Sequence, residues 1–239
     1  MKLLAFETST EACSVALWRD GAVVERFEIA PRRHAELALP WAEALLAEAG
    51  LARSQLDAIA VGRGPGAFTG VRLGVAIAQG IALALDVPVL PVSTLLALAA
   101  RAPAPAERVL AAIDARMGEV YFGAFAHEGD AWRALQPEAV GAPDAIALPD
   151  GGGWDGVGTG FDAAGGALRA RLGGRLARVD AAALPHAADV ARLGAMMSAR
   201  GEAVAPERLE PAYLRDNVAL TLAEQSAASA AKKASTSDR

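Results

Sequence analysis

Cysteine is almost absent from this 239-residue chain. Cys13 stands alone, so no disulfide can form within it, and the stapled framework of small secreted domains is excluded. A lone thiol fits a reducing compartment, and the expected location is the cytoplasm. Histidine is nearly as scarce: His34, His127 and His186 show no HExxH or HxxxH spacing and no cysteine cluster beside them. No metal site is expected, and each reads as a surface or helix-start residue. Long hydrophobic runs are missing too. The opening MKLLAFETSTEACSVAL turns acidic at Glu7 and lacks a basic region followed by an apolar one, so no signal peptide is expected. The longest apolar stretch, residues 73–85, is interrupted by Gln79 and flanked by Arg72 and Asp86. It falls short of the ~20 residues of a membrane helix, and no membrane partner is expected. Positive charge is in deficit, with 23 Lys and Arg against 28 Asp and Glu, a net −5. That is the wrong sign for gripping RNA unaided, because such affinity comes largely from basic side chains releasing counterions. If RNA is involved, another subunit holds it.

Apolar residues, at 53 %, are plentiful enough for a sizeable core. Residues 2–6, 13–18 and 22–29 read as an antiparallel meander, with a turn at Arg19-Asp20-Gly21. Residues 34–49 carry Leu37, Trp41, Leu45 and Leu46 at helical spacing before Gly50, and Pro40 predicts a kink or a late start. A short strand at 57–61, a helix from about 71 to 85 and a strand at 87–92 follow. A second lobe repeats the first: LAAID (110–114) and EVYFGAF (119–125) mirror LLAFE (3–7) and CSVAL (13–17). In both, an apolar strand ends on an acid and a short turn leads to another strand. The stretch 101–106, RAPAPA, marks the boundary. Helical patterns return at 164–172 and 186–200. The expected domains are 1–103, 104–223 with room for a helix returning to the first lobe, and a disordered tail at 224–239.

Chemistry-bearing stretches are few. Glu7-Thr8-Ser9-Thr10 sits at a strand-to-strand turn where backbone N–H groups and hydroxyls can bind an anion, or where the hydroxyls merely satisfy the turn backbone. A carboxylate at Glu7 can reach Mg²⁺ through water. The glycine-rich GRGPGAFTGVRLG (62–74) has neither a Walker A ending nor a GxGxxG pattern. After it, Gly70, Gly74, Ala78 and Ala82 recur every four residues and form a small stripe that lets another element approach closely. That helix is either central to the core or wedged between core and partner. Asp114 and Glu119 around Arg116 read as a structural ion pair, and Arg169, Arg171, Arg175 and Arg178 as a solvated face. The stacked strand, acid, turn and strand are shared with the actin-like ATPases and sugar kinases.

LLAFETSTEACSVAL, His34 with the helix ending LPWAEALL, GPGAFTGVRLGVAIAQGIALAL, DARMGEVYFGAF and PAYLRDNVA together resemble the TsaB family, bacterial partners of TsaD in making N6-threonylcarbamoyladenosine on tRNA. The resemblance spans most of the chain apart from the tail, and GPGxFTGxRxG is its most specific part. It implies an α/β fold of two tandem ribonuclease-H-like lobes (actin-like ATPase, ASKHA), each a mixed sheet with helices. It implies a non-catalytic dimerising subunit that binds TsaD, helps recruit the ATPase TsaE, pairs with itself when alone and meets tRNA only indirectly. Leu37, Trp41, Leu45, Gly70, Arg72, Gly74, Ala78 and Ala82 become partner-binding residues on this reading. Glu7, Thr8, Ser9, Gly64 and Gly66 become a vestigial phosphate loop. TsaD-like chains carry a VNHxxxH-type metal motif where this chain has VSTLLAL, residues 92–98, so that Thr94 and Leu98 replace the histidines. No cofactor is expected, with ATP or ADP admitted only at the interface shared with TsaD. A sugar- or acetate-kinase-like phosphotransferase is the competing class, and a metalloprotease is disfavoured by the missing histidines.

Overall fold

The computed structural model describes residues 1–129 and 131–215. The apolar run at the start forms β1 (Lys2–Glu7), buried from Leu3 onward. It continues into β2 (Ala12–Arg19) and β3 (Ala22–Ile29), joined at Asp20 and Gly21, whose φ of 49° and 97° suit a two-residue hairpin turn. Next come α1 (His34–Glu48), β4 (Ala58–Gly62), α2 (Phe68–Leu85) and β5 (Val89–Val92). These strands form one sheet in the order β3-β2-β1-β4-β5, in which β1 is antiparallel to β2 and parallel to β4. A bridging helix, α3 (Thr94–Ala99), precedes the second half: β6 (Arg108–Arg116), β7 (Glu119–Glu128), β8 (Ala131–Ala134), β9 (Ala139–Gly141), β10 (Trp154–Val157), α4 (Ala163–Leu172) and β11 (Leu176–Asp180). Its sheet runs β8-β7-β6-β10-β11, with β9 beside β7. Strand order and directions match the first sheet position for position, with β6 antiparallel to β7 and parallel to β10. The repeat legible in the two strand, acid and strand segments is therefore a repeat of whole sheets.

Alternate side chains of the strands fill different layers. One face of the first sheet, with Phe6, Val15 and Ile59, packs under α1 and α2 through Leu45 and Ala78. Its other face, with Leu3, Ala5 and Leu90, is covered by α5 (Ala187–Ala199), so the chain comes back to the first lobe after building the second. Between the sheets lies α3, whose Leu95 and Leu98 meet Val109, Ile113 and Phe125. The outer face of the second sheet packs Phe122, Trp154 and Phe161 against Leu168 of α4.

Three local expectations need correction. Helix α1 starts at His34 and runs through Pro40, so of the expected kink or late start the late start does not occur. Pro40 lies on the exposed side of the helix. Helix α2 begins at Phe68 rather than at residue 71. With 18 residues and a mean hydropathy of 1.6 it is long and apolar enough to cross a membrane by length and composition, but its small-residue face is packed on its own sheet. The arginines between 169 and 178 are not simply a solvated face. Arg171 donates to the carbonyls of Pro143 and Ile146, Arg175 to those of Gly151 and Pro149, and Arg178 to the Asp155 carboxylate and the carbonyls of Pro103 and Pro105. They tie down loops whose carbonyls have no strand partner. The expected tail at 224–239, and the expected second domain beyond residue 215, lie outside the described residues.

Candidate functional site

Two surfaces meet at α2: a cleft between the lobes at its N-terminal end and an outer face that it shares with α1. The turn after β1 builds the floor of the first. Glu7, 1 % exposed, accepts hydrogen bonds from the Ser9 N–H (2.7 Å) and the Ser9 hydroxyl (2.5 Å), and the Thr94 hydroxyl reaches its other oxygen at 3.1 Å. Burial pushes the Glu7 carboxyl above the usual carboxylate range, and the bonds from Ser9 oppose that shift. Gly64 donates its N–H to the Thr94 oxygen, while Thr8 donates its hydroxyl to the Gly70 carbonyl at 2.7 Å. A side chain on Gly62 would collide with the Glu7 carboxylate, and one on Gly66 or Gly70 with the backbone of Ser9 or Thr8. Glu7, Thr8, Ser9, Gly64 and Gly66 are thus brought together as expected. The Glu7, Thr8 and Ser9 side chains are engaged with one another, with Thr94 and with the Gly70 carbonyl, the glycines permit the close approach, and of the five only Ser9 and Gly66 line the cleft.

The cleft encloses about 1010 Å³. One wall is the α2 N-terminus with Phe68 and Arg72, and the other is the β6–β7 hairpin with Ile113, Asp114 and Tyr121. Arg116 pairs with Asp114 at 2.9 Å, so this part of the expected ion pair is present, whereas Glu119 pairs with Arg215. Arg72 lies 3.4 Å over the Phe68 ring and donates to the Tyr213 hydroxyl at 2.6 Å. Tyr213 falls in the PAYLRDNVA stretch that carries part of the resemblance, but nothing in local periodicity links it to a helix residue 141 positions earlier.

The partner-binding set divides. Gly70, Gly74, Ala78 and Ala82 are buried inside the lobe, and a side chain on Gly74 would meet the Thr8 hydroxyl at 2.7 Å and Val61 at 3.3 Å. This corrects the expectation that the stripe faces a partner: it is the seat of α2 on its own sheet. Leu45 is likewise core, at 2 % exposure. Leu37 and Trp41 are half-buried and Arg72 is exposed. The opposite stripe of α2 was missed. Ala76, Gly80, Leu83 and Ala84 are exposed, nothing lies within 4 Å of a side chain built on Gly80, and Leu83 is 60 % exposed. On α1, Leu39 is 46 % exposed. The signal existed in the spacing, since residues 72, 76, 80 and 84 also recur every four.

Two lobes with the same β-order, a cleft between them and α/β layering define a two-lobed protein of actin-like ATPase architecture. The family model described as "TsaD: tRNA N6-adenosine threonylcarbamoyltransferase" matches residues 26–223. The tRNA threonylcarbamoyladenosine biosynthesis protein TsaB of Escherichia coli is 44 % identical over 92 % of this chain and 96 % of its own length. That of Haemophilus influenzae is 41 % identical over 91 % and 95 %. A solved structure, YeaZ from Pseudomonas aeruginosa, superposes with a TM-score of 0.83 at 49 % identity, covering 89 % of this chain and 99 % of that one. The chain belongs to the TsaD family and, within it, to the TsaB proteins.

The metal that the TsaD-type histidine motif implies does not fit here. Thr94 is fully buried in the Glu7 and Ser9 network, and Leu98 is fully buried among Val109, Ile113 and Phe125. A hydroxyl already engaged and an aliphatic side chain give a metal no ligand pair. Among the described residues no group of three or more His, Cys, Asp or Glu could hold a metal ion.

Proposed function

We propose that this chain acts in tRNA threonylcarbamoyladenosine synthesis as a non-catalytic subunit that docks on TsaD through the outer face of α1 and α2. Its relatives bear the name of that biosynthesis. The observation that carries the docking assignment is the uncovered apolar stripe of α2, exposed Leu83 with the small Ala76, Gly80 and Ala84, together with Leu37 and Trp41 of α1, which pack only partly buried against the core the two helices share. Small residues let a facing helix approach closely, and exposed Leu83 with Leu37 and Trp41 supplies the apolar area that association uses. Without TsaD, the same face pairs two copies of the chain. TsaE is recruited to the assembled pair, tRNA is held by TsaD, and any ATP or ADP sits only where the two subunits meet. Thr94 and Leu98 at the metal positions support a subunit that leaves the transfer step to its partner.

Reconstitution tests this reading. TsaD, TsaE and the carbamoyl-AMP synthase are supplied with tRNA, with and without this chain, and the chain is also supplied with everything except TsaD. Modified tRNA is expected only when the chain and TsaD are both present. Product formed without the chain, or with the chain in place of TsaD, overturns the assignment.

A further inference from the structure

From Pro206 to Arg215 the chain has one short 3₁₀ turn, Pro206–Arg208, yet α2 holds it along its length. Gln79 donates its amide to the carbonyls of Pro206 (3.0 Å) and Leu209 (3.1 Å), and Leu209, 3 % exposed, enters the core beneath α1 and α2. Ala212 donates its N–H to the Arg63 carbonyl at 2.8 Å, and Arg72 holds the Tyr213 hydroxyl. The segment then changes lobe. Arg215 donates to the Ala115 carbonyl at 3.1 Å and to the Glu119 carboxylate, on β6 and β7.

Arg72, in the second turn of α2, and Gln79, further along the helix, are thus both committed to this segment. Another side-chain bond between the lobes, Ser93 to Glu138, lies at the N-terminus of α3. Helix α3 packs on the second sheet and on α5, and its Ala97 belongs to the core cluster of the first sheet, so that bond marks the side where the lobes are joined, whereas Arg215 lines the cleft itself. We propose that residues 209–215 form an interlobe strap, anchored on α2, whose Arg215 to Glu119 bond sets the opening of the cleft. The side chains of that pair are 22 % and 36 % exposed, so water and salt compete for the bond, and it releases far more readily than the buried core on either side. The anchor, Arg72, is at the end of the helix whose outer face is the proposed TsaD surface. Docking there is coupled to the strap; this coupling rests on the function proposed above, and the strap itself does not.

Distances between spin labels on cysteines placed at exposed Ser54, in the first lobe, and Ala170, in the second, test the strap in the full chain. Native Cys13 is buried with its thiol pushed up to about 11, so it stays unlabelled. The unaltered strap should give one narrow distance population. Arg215→Ala and Tyr213→Phe should each add a second, longer population, and so should Arg215→Glu, which Glu119→Arg should reverse. Distributions that superimpose on the parent for all of these variants overturn the strap. Adding TsaD should produce the longer population in the parent; a complex confirmed by size that leaves the distances unchanged overturns the coupling. Failure to form a complex overturns the docking reading instead, with the strap already decided by the chain alone.

Discussion

Glu7 is a carboxyl sealed under a turn, and its partners decide what it does. Three hydrogen bonds reach it from Ser9 and Thr94, but burial dominates and raises its pKa above the value of 4.5 that it has when unfolded. A raised carboxyl stabilises the fold fully below that unfolded value, and the contribution is lost as pH climbs through the folded pKa. Glu7→Gln keeps the shape and removes the titration. The variant is therefore expected to gain stability relative to the parent progressively from pH 4.5 upward, with the difference levelling off above the folded pKa. Urea denaturation across that range measures it; a difference that stays flat with pH contradicts the assignment. Pairing with Ser9 and Thr94 also explains why the glycine loop needs its glycines: Gly62 leaves room for the carboxylate itself.

At the scale of an element, α2 carries two small-residue stripes on opposite sides, and they have opposite duties. Residues 70, 74, 78 and 82 seat the helix on β1 and β4, while 76, 80 and 84 are left outside. Gly74→Leu would drive a branched side chain into Thr8 and Val61 and should cost about 1–3 kcal/mol or more of stability by overpacking. Gly80→Leu meets open space and gains helix propensity, so its thermal midpoint should hold or rise by the equivalent of about 0.5–1 kcal/mol. Its affinity for TsaD should nonetheless fall about tenfold or more, or ~1.4 kcal/mol, because the facing helix is pushed away. Thermal unfolding beside calorimetric titration with TsaD separates the two effects. If Gly80→Leu binds as the parent does, the outer face is not the docking surface.

Across the whole molecule, the lobes are repeats that do not stand apart. The first sheet is finished by α5, which comes from the end of the second half, and α3 is shared between the two sheets. A fragment of residues 1–103 keeps every strand of the first sheet but uncovers Leu3, Ala5, Ala60 and Leu90, which pack under α5. Such a fragment is expected to stay unfolded or to aggregate, with poorly dispersed amide resonances, while a chain ending at 215 unfolds in a single transition. A well-dispersed spectrum from the fragment would show that α5 is dispensable. Arg215 and Tyr213 join the same account, since they bind the end of the described chain to both lobes.

Composition and local period were enough for much of this. Scarce cysteine and histidine, two copies of an apolar strand ending on an acid, and helical spacing at 34–49 and after the glycine loop made the two-lobed α/β fold and the important helix legible, because each depends on neighbours along the chain. Periodicity sorts a helix into faces but does not say what each face meets. The two stripes of α2 look equally small in sequence, and only the packed sheet shows that Gly74 is inside and Gly80 outside. For the same reason the arginines at 169, 171, 175 and 178 read as a solvated face, and only the folded loops show what the last three of them hold. Thr94 with Glu7, and Tyr213 with Arg72, are partners across 87 and 141 residues, and contacts of that range come from the way the lobes close rather than from any local pattern.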